Sequence, residues 1–229
     1  MTKKRIKIGE LSWIVGNVLC AIGNCFAAKS ALGLAPIVAP AFVLHEKIPF
    51  ITVGFCEYLI QGILLAICCI VIGKFKGKFI ATICNIIFYG ACFDILNWLF
   101  SPIQPTDLVG RIACAVFGTV VTCFAVALML RTYIPPSAYE IFVREIAEAK
   151  GFDVNKTKLT FDASMLALAI VLMFSLLGSF KLEFIGILTV VTAFSNSLLI
   201  AFFGNLLDKH CDFSPAIPKL YQLLNPNSK

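Results

Sequence analysis

Residues 108–130 of the 229-residue chain read LVGRIACAVFGTVVTCFAVALML, and this stretch decides the fold class. Arg111 is its only charged side chain. Its length exceeds the roughly 20 helical residues that cross the hydrocarbon core of a bilayer. A helix that is apolar on every side is buried in a large core or in lipid. Residues 108–130 are therefore predicted to form a transmembrane helix.

The composition of the whole chain supports this interpretation. Hydrophobic residues make up 59% of it and charged residues 14%, against about 25% charged residues in ordinary soluble domains. A soluble fold of this size could not hide so much hydrocarbon from water. The net charge of +6 does not indicate nucleic-acid binding, because most basic residues flank apolar blocks. The ten cysteines lie mostly inside those blocks, so we expect free thiols.

Five further apolar blocks lie on either side of the central stretch. The six predicted spans are Leu11–Ala28, Phe50–Gly73, Phe79–Phe100, Leu108–Leu130, Phe161–Phe180 and Phe184–Leu207. The predicted fold class is thus all-α, a polytopic membrane protein with six transmembrane helices. Basic residues concentrate before the first span, around residues 74–78, between residues 131 and 158, and after residue 208. The positive-inside rule then places both the N-terminus and the C-terminus in the cytoplasm.

Two proline-led segments are too short to cross the membrane and occupy matching places in the chain. Pro36–Glu46 follows the first span and Pro136–Ala147 follows the fourth, and each is expected to be a half-helix or an interfacial helix. Each proline-led segment thus belongs to a unit of three spans. Because three is an odd number, the two units must enter the membrane in opposite orientations, as in many transporters. We therefore predict a 3+3 inverted repeat, with units at 1–107 and 108–208 and a cytoplasmic tail at 209–229.

Several motifs resemble those of a known family. They are LGLAPIVAPAFVL (residues 32–44), Phe93-Asp94, PSAYE (residues 136–140), KLTFD (residues 158–162) and Gly186 with Thr189. With these motifs the sequence resembles the YczE/YyaS/YitT-like integral membrane proteins of bacteria, whose function is largely uncharacterised. The resemblance implies a multi-pass protein of the bacterial inner membrane. It also draws attention to Asp162 as a site residue.

Polar side chains inside the predicted spans are the candidate site residues, because an ionised group in hydrocarbon is costly. Asp94 has Asn97 one turn later on the same face, and depth along the span favours it over Glu57. We expect Asp94 to bind a proton or a substrate, with helix packing near the outer interface as the alternative. Glu57 shares a helix face with Gln61 and is the second carboxylate candidate.

The remaining candidates have competing structural interpretations. Lys29 could pair with a carboxylate or extend to the interface, and Asp162 could stabilise the start of its helix. Asn196 could serve as an interhelical contact, and the proline-led segments could simply cap the bundle. Including those already discussed, the substrate- or ion-binding candidates are Asp94, Asn97, Glu57, Lys29, Pro36, Pro136, Glu140, Lys158, Asp162 and Asn196.

No catalytic motif of the hydrolase, metalloprotease or nucleotide-binding types occurs in the sequence. We therefore expect no enzyme activity, no cofactor and no metal site. The leading prediction is a small-molecule transporter or permease-like protein with a central polar site between the repeats. The alternatives are a substrate-capture subunit of an ATP-driven importer and a non-transporting accessory or scaffold protein. The expected partners are the lipid bilayer, an unknown small-molecule ligand, and either a second copy or an ATPase module, but no nucleic acid.

Overall fold

A computed structural model describes residues 8–215 and 217–224, and these residues form a helical bundle. The basic residues predicted to be cytoplasmic at Lys3, Lys4, Arg5, Lys7 and Lys229 lie outside the described residues. The helices of the described part are α1 (Gly9–Ser30), α2 (Ala39–Lys47), α3 (Val53–Ile72), α4 (Gly77–Leu99), α5 (Leu108–Met129), α6 (Ala138–Lys150), α7 (Val154–Leu172), α8 (Ile187–His210) and α9 (Pro218–Leu224). A π-helical turn at Met173–Leu177 extends α7.

Six of these helices are long and apolar enough to cross a membrane, namely α1, α3, α4, α5, α8, and α7 with its π-helical extension. Large apolar side chains such as Phe194 (77% exposed) and Leu198 (75% exposed) point away from the bundle, as lipid-facing residues do. The predicted all-α fold class with six membrane-spanning helices is confirmed. The short helices α2 and α6 follow the first and fourth long helices, as the proline-led segments predicted.

The fifth span was predicted to start too late. Helix α7 begins at Val154, not at Phe161, because the Asp153 side chain accepts a hydrogen bond from Lys156 N and caps it. Apolar periodicity cannot detect such a polar first turn. Helix α8 continues to His210, past the end of the sixth predicted span at Leu207.

Helices α1 and α5 form the centre of the bundle and make its most extensive helix–helix contact. They approach closely at Gly23 and Gly118: a Cβ atom on Gly118 would lie 2.6 Å from both Gly23 O and Ala27 N. Small residues allow this approach, as they do in other membrane helix pairs.

The other helix contacts show a regular pattern when the helices α1, α2, α3 and α4 are exchanged with α5, α6, α7 and α8, respectively. The contact between α1 and α4 then corresponds to that between α5 and α8, and the contact between α2 and α3 to that between α6 and α7. The contact between α3 and α6 likewise corresponds to that between α7 and α2. Two pairs break the pattern. Helix α4 contacts both α3 and α6, whereas within the described residues α8 contacts neither α7 nor α2.

The two ends of the bundle differ in their number of basic residues. We call one end, where α1 begins and α3, α5 and α8 finish, the lysine-rich end; its basic residues include Lys74, Lys76, Lys78, Arg131 and Lys209. Contacts such as Ile8 N to Asp212 O (3.0 Å) join chain segments at this end. At the opposite end, Leu34 N donates to Phe184 O (3.0 Å) and Leu188 N to Leu32 O (2.9 Å), which fixes α8 to the connection between α1 and α2.

Candidate functional site

Helix α6 begins at a buried residue, Ala138, inside the bundle. Ser137 caps it by accepting from Glu140 N (3.3 Å), and the preceding Pro136 carbonyl accepts from Asn85 Nδ2 (2.6 Å). Asn85 lies about 12 Å along α4 from its start at the lysine-rich end, at 1.5 Å per residue. This distance is about a third of the roughly 34 Å length of α4, so the positive end of α6 lies inside the bundle, nearer to the lysine-rich end than to the opposite end.

A fully buried carboxylate faces this helix start. Glu57 on α3 is 1% exposed, and its Oε2 atom accepts hydrogen bonds from Gln61 Nε2 (3.0 Å) and Tyr139 OH (2.8 Å). The Gln61 Oε1 atom in turn lies 3.4 Å from Ala138 N, the first amide of α6. The side chains of α3 and the first turn of α6 therefore form one hydrogen-bonded cluster, which we call the Glu57 cluster: Glu57, Gln61, Tyr139 and Ala138 N.

Further polar groups are buried near the Glu57 cluster. Asn24 Nδ2 on α1 donates to Tyr89 OH on α4 (2.8 Å), and both residues are buried. Six buried side-chain oxygens have no hydrogen-bond partner among the described residues, and two of them are Glu57 Oε1 and Asn85 Oδ1. A buried polar atom without a partner costs about 1–3 kcal/mol. Both oxygens therefore have capacity for a proton, a cation or a hydrogen-bond donor from a ligand.

Three of the sequence candidates meet on the other side of the first turn of α6. Lys158 on α7 lies 3.4 Å from Glu140 Oε1 and 3.1 Å from Asp162 Oδ1. All three side chains are partly buried, between 22% and 34% exposed. This ion triad connects α6 to α7 and leaves one more negative than positive charge at the contact.

The far end of α6 is anchored at the lysine-rich end. The Glu145 side chain is 1% exposed and pairs with Lys76 Nζ (2.5 Å) and Lys78. Burial raises the pKa of the Glu145 carboxyl group, but the hydrogen bonds from Lys76 and Lys78 outweigh this effect, so its pKa lies below the ordinary value. Helix α6 thus runs from an anchored surface end to a start inside the bundle.

The structure places Asp94 at the opposite end, where it holds the start of α3. Thr52 Oγ1 donates to Asp94 Oδ2 (2.7 Å) and Gly54 N donates to Asp94 Oδ1 (2.9 Å). Both carboxylate oxygens therefore have a donor, and a carboxylate at a helix N-terminus is favoured by the helix dipole. Asn97, one turn further along α4, is partly buried.

The remaining candidates lie away from the Glu57 cluster. Lys29 is partly buried in the last turn of α1, and the hydrogen bonds of both Asp94 and Glu57 go to other residues. Asn196 on α8 accepts from Cys123 Sγ on α5 (3.4 Å), which is an interhelical contact. Pro36 is buried in the turn before α2.

Comparison with protein families identifies the chain at the level of a family. The model of a family of unknown function, DUF6198, matches residues 8–205. The chain belongs to this family. The match covers all six membrane-spanning helices except the last turns of α8, and it does not confirm the YczE/YyaS/YitT-like assignment. No curated protein and no solved structure matches the chain.

The main polar residues in and around the Glu57 cluster that sequence reasoning missed are Asn24, Asn85, Tyr89 and Tyr139. One signal was present, because Asn85 and Tyr89 are four residues apart and share a face of the predicted third span. No pattern in the sequence indicated that Tyr139 would reach Glu57 on another helix. In the described part of the chain, no three His, Cys, Asp or Glu side chains form a group that could hold a metal ion.

Proposed function

We propose that this DUF6198 protein is a small-molecule transporter of the permease type, with its binding site at the Glu57 cluster. The observation that carries the proposal is Glu57 itself, a fully buried carboxylate with one unpartnered oxygen beside the start of a broken helix. Helix starts at membrane depth are the common ligand sites of secondary transporters, because they offer partial charges in a medium of low polarity. A carboxylate placed there without a nearby basic partner is a functional group by default.

The exchange pattern of helix contacts supports an inverted repeat and alternating access. If units 1–107 and 108–208 are related by a two-fold axis, the close α1–α5 contact lies on that axis and one unit can rock against the other. The Glu57 cluster joins α3 of the first unit to α6 of the second, as the contact between Tyr139 and Glu57 shows. Rocking would therefore open and close the site, which is what transport requires.

The charge distribution supports an orientation in a bacterial inner membrane. Basic residues are concentrated at the lysine-rich end of the described bundle, which by the positive-inside rule faces the cytoplasm.

The decisive experiment measures transport with and without the carboxylate. The purified full chain and its Glu57→Gln variant are screened by thermal shift against a panel of amines, amino acids and organic cations. Compounds that stabilise the wild type are then tested for uptake into proteoliposomes. Uptake that depends on Glu57 would support the proposal, whereas no uptake above empty liposomes would contradict it. Copurification with ATPase subunits would instead indicate a capture subunit.

A further inference from the structure

Three carboxylates lie around the first turn of α6, those of Glu57, Glu140 and Asp162. Glu140 also lines a second pocket, which includes the basic residues Lys78 and Arg144. The ammonium group of Lys158 pairs with Glu140 and Asp162. Among the described residues, no basic side chain lies within ion-pair distance of Glu57. Since isolated charge is costly at this depth, the region favours a ligand that brings positive charge.

An apolar groove lies directly beside this region. It has a volume of about 720 Å³, between α3, α6 and α7, and its walls include Leu64, Phe142, Phe161 and Met165. Ligand sites for drug-sized molecules typically span about 300–1,000 Å³. The hydroxyl group of Ser164 also lines the groove but donates to Thr160 O (2.8 Å), so it offers little polar recognition. The groove therefore suits a hydrocarbon surface.

Two aromatic rings separate the groove from the buried carboxylate. Phe161 lines the groove, and its ring centroid lies 6.2 Å from that of Tyr139. Tyr139 donates to Glu57 on its other side (2.8 Å). Aromatic faces attract cations, most strongly where water is excluded. At the mouth of the groove, Asp153 and Lys156 carry opposite charges, so the mouth itself selects neither sign.

From this arrangement we infer that the site takes a lipophilic organic cation, with its apolar body in the groove and its positive charge toward the rings of Phe161 and Tyr139, behind which Glu57 lies. This inference rests on the proposed function and names its substrate class. A lipophilic anion would instead be repelled by the carboxylates around the first turn of α6. A strongly hydrated small polar ligand would find few donors or acceptors along the groove.

The test uses a pair of probe ions of nearly the same shape and opposite charge, tetraphenylphosphonium and tetraphenylborate. Their binding to the purified full chain in detergent is measured by isothermal titration calorimetry. We expect tetraphenylphosphonium to bind at least tenfold more tightly than tetraphenylborate. Glu57→Gln is expected to weaken tetraphenylphosphonium binding at least tenfold. The control Glu46→Gln, at an exposed carboxylate that pairs with Lys181 (2.5 Å), is expected to leave binding unchanged.

A second pair of variants tests the groove without touching Glu57. Ser164→Trp fills the groove and is expected to abolish tetraphenylphosphonium binding, whereas Leu159→Trp lies on the same helix at a 72% exposed position and is expected to retain it. Equal affinity for the two probe ions, or full binding by Ser164→Trp, would overturn the inference. These results remain decisive even if Glu57→Gln does not fold.

The outcomes also separate this inference from the proposed function. If tetraphenylphosphonium binds in a Glu57-dependent manner but is not taken up by proteoliposomes, the ligand class stands and transport fails. If another compound is transported through Glu57 while tetraphenylphosphonium does not bind, transport stands and the ligand class is wrong.

Discussion

The anchor of α6 at the lysine-rich end offers a quantitative prediction. Lys76→Met and Lys78→Met together remove both cations from Glu145 and leave a carboxylate that is 1% exposed without a partner. Removing one partner of a fully buried ion pair costs about 3–5 kcal/mol. Here the two lysines are 36% and 35% exposed, so solvent already screens the pair and the cost is smaller. We expect the double variant to lose about 2 kcal/mol of unfolding free energy.

The comparison with related variants identifies the cause. Each single lysine variant keeps one cation beside Glu145 and is expected to lose under about 1 kcal/mol. Adding Glu145→Met to the double variant removes the buried charge and is expected to recover most of the loss. Lys74→Met serves as the control, because Lys74 is exposed at the same end, and such surface substitutions change stability by about 0.5 kcal/mol or less.

The assay is reversible unfolding of the purified chain in mixed micelles with increasing sodium dodecyl sulfate, followed by circular dichroism. The reasoning is refuted if the double variant is as stable as the wild type, or if the triple variant is no more stable than the double one. The pH dependence provides a further check. Because the pKa of Glu145 is lower in the folded state, the pair stabilises fully above the unfolded-state pKa of about 4.3. This contribution disappears as the pH falls through the folded-state pKa.

Three more predictions concern the fold and its orientation. Gly118→Val is expected to lower the stability by about 1–3 kcal/mol through overpacking at the α1–α5 contact. The control Gly62→Ala is expected to be neutral or stabilising, because a Cβ there meets nothing within 4 Å. Thermal unfolding in detergent compares the two variants. Arg111→Met removes two hydrogen bonds to the last carbonyls of α1 (2.7 and 2.5 Å) and is expected to cost about 2 kcal/mol in the same assay. In a cysteine-free chain in intact cells, a cysteine at position 47 is expected to react with a membrane-impermeant maleimide and one at position 74 is not; the reverse pattern would overturn the orientation.

The fold could be predicted because lipid leaves few choices to an apolar chain. Each long apolar block must become a helix that satisfies its own backbone, so six blocks predict six helices. Helix boundaries were less predictable, since polar caps such as Asp153 and Ser137 act locally and carry no apolar signal. The proline-led segment Pro136–Ala147 predicted a half-helix or an interfacial helix, and it contains most of α6. The position of the start of α6 inside the bundle could not be predicted, because it depends on contacts with Asn85 and Gln61 from other helices.

The same limit applied to the ranking of the two candidate carboxylates. Sequence position put Asp94 deeper than Glu57, but the number and placement of hydrogen-bond donors depend on neighbouring helices. Each oxygen of Asp94 has its own donor, from Thr52 and Gly54, and the carboxylate completes the start of α3. The two donors to Glu57 share one oxygen, and the other oxygen is buried and unpartnered. A carboxylate with a donor on each oxygen, such as Asp94, stabilises a helix end. A carboxylate with one unpartnered oxygen, such as Glu57, can still accept a proton or a hydrogen bond from a ligand. This difference in saturation makes Glu57 the stronger candidate for the binding residue.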